Sequence, residues 1–381
     1  LALSGIRVID LTRILAGPFC TLMLADMGAE VIKIEPPKGD PVRQQGIVKN
    51  GLSWYFAQFN RNKKSVVLDL YSEEGKKNLE LLLETADVLV ENYRPGVLAK
   101  MGFPRERLQE INPKLIHASV NGYGSTGPYV DRPSFDFIAQ AMSGFMSVNG
   151  SQDGEPMRAA PPMSDLIAGL YAAFGVVTAL QARHRTGKGQ IVESSLTNGL
   201  ISMMAYLSAE YFATGIIPSR TGNNHPIASP YGLFRASDGR VAVAPSNDVF
   251  VKRFLTVLDL DYLLDEDKFC TNDQRMKNRD ELLEIINKVT EKQSVDHWIK
   301  VINEAGCPCG RTMDLKEVFE DPQVLAQEMM LEVDHPGRGP VKMTGFPVKL
   351  SETPAKVHRP TPELGADTSE VLGSLKFRER N

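Results

Sequence analysis

The first 120 residues alternate short runs of β-branched and aliphatic residues with segments that have helical spacing. The strand-like runs are Ile6–Leu11, Glu30–Ile34, Ser65–Leu70, Asp87–Glu91 and Leu115–Val120. Between them, Ala16–Ala29 and Ser72–Ala86 are predicted helices, the second with a Ser cap and early glutamates. This alternation predicts a parallel sheet with helices on its faces. Ligands of such sheets bind beyond the carboxyl ends of the strands.

The rest of the chain predicts a second unit, since 381 residues are too many for one compact core. Helices are predicted over Asp165–Arg185 and Ser195–Thr214, followed by a polar linker at Thr214–Asn224. Beyond it, a hairpin is predicted over Tyr231–Ala244, then several helices. The tail contains a β-like stretch at Pro340–Leu350.

Composition limits the partners and the compartment. A net charge of −4 gives no reason to expect a nucleic-acid partner or an acidic membrane surface. No run of eighteen apolar residues is present, so we expect no membrane span. The start of the chain lacks the pattern of a leader or transit peptide. We expect reduced thiols and a cytoplasmic protein, or a mitochondrial-matrix protein if a transit peptide has been trimmed.

Missing motifs exclude several enzyme classes. There is no P-loop, no H-E-x-x-H and no G-x-S-x-G. The only close pair of cysteines, Cys307 and Cys309, makes a poor metal site. We therefore expect no bound metal.

The most unusual stretch is Pro161–Ala173, in which Asp165 begins an otherwise nonpolar helix. The helix dipole favours an ionised carboxylate in the first turn. One and two turns further on, Ala168, Gly169 and Ala172 are small, which would leave room for a bulky group to reach that carboxylate. Because Asp is also a preferred helix cap, a capping role is the alternative to a functional one.

Three loops that follow predicted strands carry residues suited to ligand contact. The first holds Arg13 and a Gly-Pro pair that opens the next helix. The second, Val90–Gly102, combines an aromatic residue, cations and an amide, which suits a nucleotide with phosphates. The third, Asn121–Pro128, is rich in glycine, which allows close approach to a ligand. A solvated loop or a tight turn explains each of them about as well.

Together these stretches resemble the class III (family III) coenzyme A transferases, the group that contains formyl- and carnitinyl-coenzyme A transferases. The matching elements span nearly the whole chain in one order: G-I-R-V-I-D-L-T-R-I-L-A-G-P, G-A-E-V-I-K-I-E, N-R-N-K-K-S, V-E-N-Y-R-P-G-V-L-A-K-M-G, N-G-Y-G-S-T-G-P, D-L-I-A-G-L-Y-A-A, T-G-K-G-Q, Y-G-L-F-R-A-S-D-G-R-V-A-V and G-C-P-C-G. So many elements in the right order do not arise by chance.

The resemblance implies an α/β fold with a discontinuous Rossmann-like large domain and a smaller α+β domain. We predict the large, coenzyme A-binding domain at residues 1–213 and 322–381 and the small domain at 225–315, with linkers at 214–224 and 316–321. The family also implies an obligate homodimer whose two chains interlock as rings. Each active site would then lie between the large domain of one chain and the small domain of the other.

The resemblance further implies that Asp165 is a nucleophile that forms an aspartyl anhydride and then an aspartyl thioester with coenzyme A. Covalent catalysis of this kind replaces one difficult transfer by easier steps. A carboxylate with an ordinary pKa of about 3.9 is ionised near neutrality, so no adjacent base is needed. Acyl-coenzyme A and a small carboxylic acid are the substrates, and no tightly bound cofactor is expected.

Coenzyme A contacts are assigned from the resemblance and the glycine-rich loop. The predicted residues are Arg13, Ala16, Leu68, Asn92, Tyr93, Lys100, Met101, Gly122, Tyr123 and Gly124. Lys100 stands where some relatives have Arg, which keeps the charge but not a bidentate phosphate grip. Pro36 and Tyr71 replace basic residues of some relatives, so phosphate recognition differs in detail.

Two alternatives compete with a transferase. The α-methylacyl-coenzyme A racemases share the fold, but they use a His where this chain has Phe135, and a phenyl ring cannot exchange a proton. The next residue, Asp136, is either a helix-start residue or a group that orients the site. A non-catalytic acyl-coenzyme A binder is the second alternative, and the retained Asp165 argues against it.

The expected acceptor is a dicarboxylate such as glutarate, malate, mesaconate or itaconate, with succinyl-coenzyme A as the donor. Formyl-coenzyme A transferases carry a run of glycines that is missing here between Thr221 and Asn247, so we do not expect formate or oxalate transfer. Arg13, Arg158 and His225 are the candidate contacts for a distal carboxylate.

Overall fold

A computed structural model describes residues 1–378, which form two compact units. The first unit comprises residues 1–146, 158–215 and the described residues from 322 onward, and the second comprises residues 147–157 and 216–321. The strands are β1 (Arg7–Asp10), β2 (Glu30–Glu35), β3 (Val48–Lys49), β4 (Leu52–Ser53), β5 (Lys63–Val67), β6 (Val88–Glu91), β7 (Ile116–Asn121), β8 (Ile191–Ser195), β9 (Gly232–Ala236), β10 (Gly239–Val243), β11 (Cys309–Arg311), β12 (Met330–His335) and β13 (Gly339–Thr344).

The helices of the first unit are α1 (Ala16–Asp26), α2 (Trp54–Asn60), α3 (Glu73–Glu84), α4 (Val97–Lys100), α5 (Arg105–Ile111), α6 (Asp136–Met142), α7 (Phe145–Val148, which ends in the second unit), α8 (Met163–Thr186), α9 (Leu196–Ser202) and α10 (Ala205–Thr214). Those of the second unit are α11 (Asp248–Val257), α12 (Asn272–Lys277), α13 (Arg279–Thr290), α14 (Val295–Glu304) and α15 (Leu315–Glu320). The chain then returns to the first unit with α16 (Pro322–Ala326) and α17 (Thr368–Arg378).

The first unit is built on a six-stranded parallel sheet with the order β5-β2-β1-β6-β7-β8. Chain order runs outward in both directions from the boundary between β1 and β6, which makes this boundary the switch point of the sheet. A crevice forms outside the carboxyl ends of the strands at such a point, because the two flanking loops turn away from each other. The loops after β1 and β6 are the ones that carry Arg13 and Asn92.

Alternate residues of each central strand pack against helices on opposite faces, as the strand period of two requires. Val8 of β1 faces a core formed with α1 and α8, whereas Ile9 faces a core formed with α3, α5 and α17. Both faces are buried, which explains why these strands read as almost continuous apolar runs. The predicted parallel α/β architecture is confirmed.

Helix α8 lies very close to α1. A Cβ added at Gly169 would come within 2.4 Å of the backbone oxygen of Ala16. Ala168 and Ala172 on the same helix are fully buried in the core below. The small residues of α8 therefore allow helix–helix and helix–sheet contact, and the prediction that they leave room for a substrate is wrong.

On length and composition alone, α8 could cross a membrane, the one such helix among residues 1–378. Half of its apolar stretch is buried inside the protein, where it packs against α1, β7, β8 and α9. The helix itself was predicted over Asp165–Arg185, but polar residues such as Asp165 interrupt its apolar sequence, so it contains no run of eighteen apolar residues.

The region after α8 differs from the prediction of one helix over Ser195–Thr214. Residues Ile191–Ser195 form the edge strand β8, and α9 and α10 are separated at Met203–Met204, with Ala205 in a left-handed conformation. The strand was missed because an edge strand that carries Glu and Ser lacks the apolar run of a central one. The tail also has two strands, β12 and β13, where the sequence indicated one.

The second unit has its own core. Its antiparallel sheet has the order β11-β10-β9, which confirms the predicted hairpin, and helices α11, α13 and α14 pack apolar residues against it. The core residues include Phe234, Val241, Phe254, Ile286 and Trp298.

Candidate active site

A cavity of about 190 Å³ lies at the carboxyl ends of β1, β6 and β7, where the sheet switches direction. It is lined by residues of the three loops that follow these strands, by the segment before α6 and by the start of α8. Eight residues predicted from the sequence line it: Arg13, Ala16, Asn92, Tyr93, Gly122, Tyr123, Gly124 and Asp165.

Three predicted contacts do not line this cavity. Leu68 is buried in the apolar core beneath the sheet. Met101 packs partly against the same core, and Lys100 is exposed at the end of α4.

Of the three residues predicted to contact a distal carboxylate of the substrate, one lines the cavity and two do not. Arg13 lines the cavity, whereas Arg158 is exposed and donates to the backbone oxygens of Ala159 and Ala160 at 2.9 and 2.6 Å. His225 belongs to the second unit, where its ring lies 4.9 Å from that of Tyr231.

Asp165 is the third residue of α8 and is half-buried. The cap position of the helix is Pro162, which makes no side-chain capping bond. The backbone N–H of Ser164 instead donates a hydrogen bond of 3.0 Å to Oδ1 of Asp136, which lies at the start of α6. Among residues 1–378, no group donates a hydrogen bond to the Asp165 carboxylate, so the interpretation of this residue as a helix cap is wrong.

Burial raises the pKa of Asp165 to about 7, and the negative charge of Asp136 adds to this effect. Desolvation therefore outweighs the helix dipole, and the expected ordinary pKa is corrected. At neutral pH only about half of the carboxylate is ionised. In the molecules in which Asp165 is ionised, its carboxylate is more basic than a solvated carboxylate, and no hydrogen bond has to break before it reacts.

A tyrosine that the sequence did not single out lies near this carboxylate. Burial, followed by the charges of Asp165 and Asp40, raises the pKa of Tyr55 to about 12. The phenol of Tyr55, on α2, therefore stays protonated at all working pH values. Nothing in the local sequence of α2 indicates this proximity, because the helix reaches Asp165 only through the tertiary fold.

The loop between β1 and α1, residues 11–15, is held in an unusual conformation. Ile14 has a φ of +70°, a region that β-branched residues rarely occupy. Its N–H points at both carboxylate oxygens of Asp40, each at 3.3 Å. At the start of the loop, Thr12 donates its N–H to Oδ1 of Asp10 at 2.8 Å. Two carboxylates therefore fix the loop that presents Arg13 to the cavity.

Two fully buried lysines compensate these carboxylates. Lys33 Nζ lies 3.0 Å from Oδ2 of Asp40 and donates to the Thr12 oxygen at 2.7 Å. Lys63 Nζ lies 3.2 Å from Oδ2 of Asp10. Burial lowers the pKa of Lys63 to about 8. For Asp10, burial acts to raise the pKa, but the charges of Lys63 and Lys33 outweigh it and lower the pKa overall.

These lysines belong to the elements G-A-E-V-I-K-I-E and N-R-N-K-K-S, for which the sequence offered no role. The structure assigns them to the support of the loop after β1. We call Asp10, Lys33, Asp40 and Lys63 the buried charge cluster.

The loop after β6 is bonded directly to the loop after β1. Asn92 accepts the Arg13 N–H at 2.9 Å and donates its amide to the Arg13 oxygen at 2.8 Å. The Arg13 guanidinium lies 5.8 Å from the ring centre of Tyr93. Arg13 is exposed and has no acidic partner within residues 1–378, which leaves its charge available to an anionic ligand.

The loop after β7 needs glycine at one position for conformational reasons. Gly124 has a φ of +98° and donates its N–H to Oδ1 of Asn121 at 2.5 Å. That N–H is therefore engaged and does not point at a substrate oxygen. Tyr123, on the same loop, packs edge-on against Tyr129 with 5.7 Å between ring centres.

Phe135 lines the cavity at the position where the racemases have a proton carrier, and its side chain is 69% exposed. In the part of the chain that the structure describes, no three His, Cys, Asp or Glu residues are grouped so that they could hold a metal ion.

Comparison with known proteins identifies the family. The sequence profile described as CoA-transferase family III matches residues 3–368. Human succinyl-CoA:glutarate CoA-transferase is 37% identical over 381 residues, covering 99% of this chain and 87% of the human protein. Acetyl-CoA:oxalate CoA-transferase of Acetobacter aceti is 41% identical over 350 residues, covering 91% of this chain and 89% of that protein. The crystal structure of a CAIB/BAIF family protein from Brucella suis has a TM-score of 0.87 at 35% identity, covering 98% of this chain and 99% of that one. The chain therefore belongs to CoA-transferase family III and is an enzyme that transfers coenzyme A.

Proposed function

We propose that this enzyme transfers coenzyme A from succinyl-coenzyme A to a dicarboxylate through covalent intermediates on Asp165. The observation that carries the proposal is the state of this carboxylate. It lines the cavity at the switch point of the sheet, it is half-buried, and no described group hydrogen-bonds it. A buried carboxylate without a structural partner is costly to maintain, which favours a chemical role.

The proposed reaction needs four bond exchanges. The Asp165 carboxylate attacks the donor thioester carbon, and the C–S bond breaks to give an acyl-aspartyl anhydride and coenzyme A thiolate. The thiolate attacks the aspartyl carbonyl carbon, and the donor acid leaves as a carboxylate. An acceptor carboxylate then attacks the aspartyl thioester, and the released thiolate attacks the acceptor's acyl carbon. This last step forms the new thioester and restores Asp165.

No proton moves in any of these steps. Asp165, the acceptor carboxylate and the coenzyme A thiol must each react in the ionised form, and Asp165 is the protein group among them. A pKa of about 7 makes its carboxylate a better nucleophile than an ordinary aspartate, at the cost of a smaller ionised fraction.

The substrate class is inferred from two features. The human relative is named for succinyl-CoA and glutarate, and the exposed guanidinium of Arg13 at the cavity is suited to a distal carboxylate. The relative named for acetyl-CoA and oxalate makes oxalate and acetyl-coenzyme A necessary members of any substrate panel.

We also propose that the working enzyme is a homodimer of interlocked chains, with the first unit as the coenzyme A-binding domain. The first unit exposes large apolar side chains that a monomer would leave in water. Phe174 on α8 is 68% exposed and Phe212 on α10 is 81% exposed, and no residue of α10 is buried. We infer that a partner chain covers these side chains.

The test is a transfer assay with succinyl- and acetyl-coenzyme A against glutarate, malate, mesaconate, itaconate, oxalate and formate. We expect the highest kcat/KM with succinyl-coenzyme A and a four- or five-carbon dicarboxylate. Arg13→Ala should raise the KM of the dicarboxylate more than tenfold and change that of a monocarboxylate little. Equal kinetics for the wild type and the Arg13 variant would contradict the assignment of Arg13, and a preference for formate would contradict the substrate class.

A further inference from the structure

The start of α8 is held by a side chain from another helix. Asp136, the first residue of α6, accepts hydrogen bonds at Oδ1 from the Ser164 N–H at 3.0 Å and from the Ser164 hydroxyl at 2.9 Å. Its other oxygen, Oδ2, accepts from Nε2 of Gln140 at 2.8 Å. Ser164 and Gln140 are fully buried and Asp136 nearly so. The residue after Ser164 is Asp165, so these bonds act directly on the turn that carries the reactive carboxylate.

Gln140 also binds the segment that leads into α8. Its Oε1 accepts the Ala159 N–H at 2.8 Å. A backbone N–H can only donate and a carboxylate can only accept. The orientation of the Gln140 amide is therefore fixed at both ends, and so is the direction of every hydrogen bond from Ala159 through Gln140 and Asp136 to Ser164.

Asp136 has no ion-pair partner among residues 1–378. Neutral donors satisfy its oxygens, unlike the carboxylates of Asp10 and Asp40, which are paired with lysines. A buried helix cap does not require a negative charge, since Ser or Asn would serve. The uncompensated charge beside Asp165 is therefore a feature that capping alone does not explain.

We propose that Asp136, oriented by Gln140, is a positioning residue for Asp165: it fixes the first turn of α8 and places a negative charge beside the reactive carboxylate. This inference rests on the proposed function. The negative charge of Asp136 opposes ionisation of Asp165. The ionised Asp165 carboxylate is therefore more basic and a stronger nucleophile towards an acyl carbon. Tyr55, whose pKa is raised in part by Asp165, stays neutral. The cations Arg13, Arg94 and Arg132 and the phenols of Tyr93 and Tyr123 line the same cavity as Asp165.

Two substitutions break the network in opposite ways, and combining them restores it. In Asp136→Asn, Oδ1 can still accept from Ser164, but the new NH₂ group faces the NH₂ group of Gln140. In Gln140→Glu, two carboxylates face each other across the same 2.8 Å. In the double variant, the amide introduced at position 136 donates to the carboxylate introduced at position 140, whose second oxygen accepts the Ala159 N–H. Every bond is then satisfied, and the negative charge has moved from one side chain of the network to the other.

The experiment measures kcat/KM for the acyl-coenzyme A donor as a function of pH, because this parameter reports ionisation in the free enzyme. The high-pH plateau tests positioning, and the midpoint tests the charge. We expect Asp136→Asn to lower the plateau at least about tenfold and to shift the midpoint down by about half a pH unit or more. Gln140→Glu should also lower the plateau and should shift the midpoint up. The double variant should recover the plateau to within about threefold of the wild type.

A wild-type plateau and midpoint in Asp136→Asn would overturn the proposal. So would a double variant that is no more active than the two single variants while its circular dichroism spectrum is native. If Asp136→Asn does not fold, Gln140→Glu and the double variant carry the same test. Failure of the proposed function looks different, because the wild type itself would then form no covalent adduct on Asp165.

Discussion

The carboxylates that fix the loop after β1 differ from the reactive carboxylate of Asp165. Asp10 and Asp40 are fully desolvated but are paired with Lys63 and Lys33, and they fix the loop after β1. Asp165 receives no hydrogen bond from the residues that the structure describes. The difference separates two uses of buried charge: paired carboxylates maintain geometry, whereas an unpaired one retains basicity for chemistry. Each prediction below either breaks one member of this comparison or measures the difference directly.

The largest effect is expected from removal of the unpaired carboxylate. Asp165→Asn keeps the shape of the side chain but cannot form an anhydride, so coenzyme A transfer should fall by at least about 10⁴-fold. The variant should fold and bind coenzyme A with a Kd close to that of the wild type, as measured by calorimetry. Residual transfer within tenfold of the wild type would contradict the covalent role.

Breaking a paired carboxylate should instead destabilise the fold. Lys63→Met removes the lysine that is paired with buried Asp10, which leaves Lys33 alone to compensate its charge, and should lower the free energy of unfolding by about 3–5 kcal/mol. The neighbouring residue on β5 provides the control. Lys64 pairs with Glu30 and Glu370 at partly exposed sites, so Lys64→Met should cost about 0–1 kcal/mol. Urea denaturation of both variants gives the comparison, and equal losses would contradict it.

The spacing between α1 and α8 brings Asp165 to the loop after β1. In Gly169→Ala, the new Cβ would come within 2.4 Å of the backbone oxygen of Ala16. The backbone of α1 or α8 would have to shift to relieve this contact. We expect a loss of about 1–3 kcal/mol in stability and a fall in kcat. Gly373→Ala on α17 is the matched control, because a Cβ there meets nothing within 4 Å and should stabilise the helix by up to about 1 kcal/mol. A Gly169→Ala variant as stable and active as wild type would show that this close approach is not needed.

The smallest expected effect is a gain in stability. The pKa of Asp165 is about 7 in the folded protein and near 3.8 in the unfolded chain, so the folded state holds the proton more tightly. Stability contributed by this group is present below pH 3.8 and is lost as pH rises towards 7. Asp165→Asn should therefore be more stable than the wild type at pH 8, by on the order of 2 kcal/mol, and this gain should vanish near pH 4. Denaturation at the two pH values measures it, and a variant less stable than wild type at pH 8 would contradict the raised pKa.

The sequence predicted local features well and non-local ones poorly. Strand periodicity and the loops after the strands were sufficient to bring Arg13 and Asn92 to one edge of the sheet, whereas Asp165 was assigned to the site only from the family resemblance. The roles of Lys33 and Lys63 were not predictable, because a lysine in a strand ordinarily reads as a solvated residue and its counter-ion lies elsewhere in the chain. The cap of α8 was mistaken for the same reason: Asp136 is 28 residues from Ser164, and no local pattern indicates the bond.

The central claim is that acyl groups and coenzyme A pass through the Asp165 carboxylate. The most direct measurement treats the enzyme with succinyl-coenzyme A, quenches it with hydroxylamine and locates the modified residue by peptide mass spectrometry. The account predicts a hydroxamate on Asp165, formed only when the acyl-coenzyme A is present and missing from Asp165→Asn. An enzyme that transfers coenzyme A while Asp165 stays unmodified, or that carries the adduct on Asp136, would contradict it.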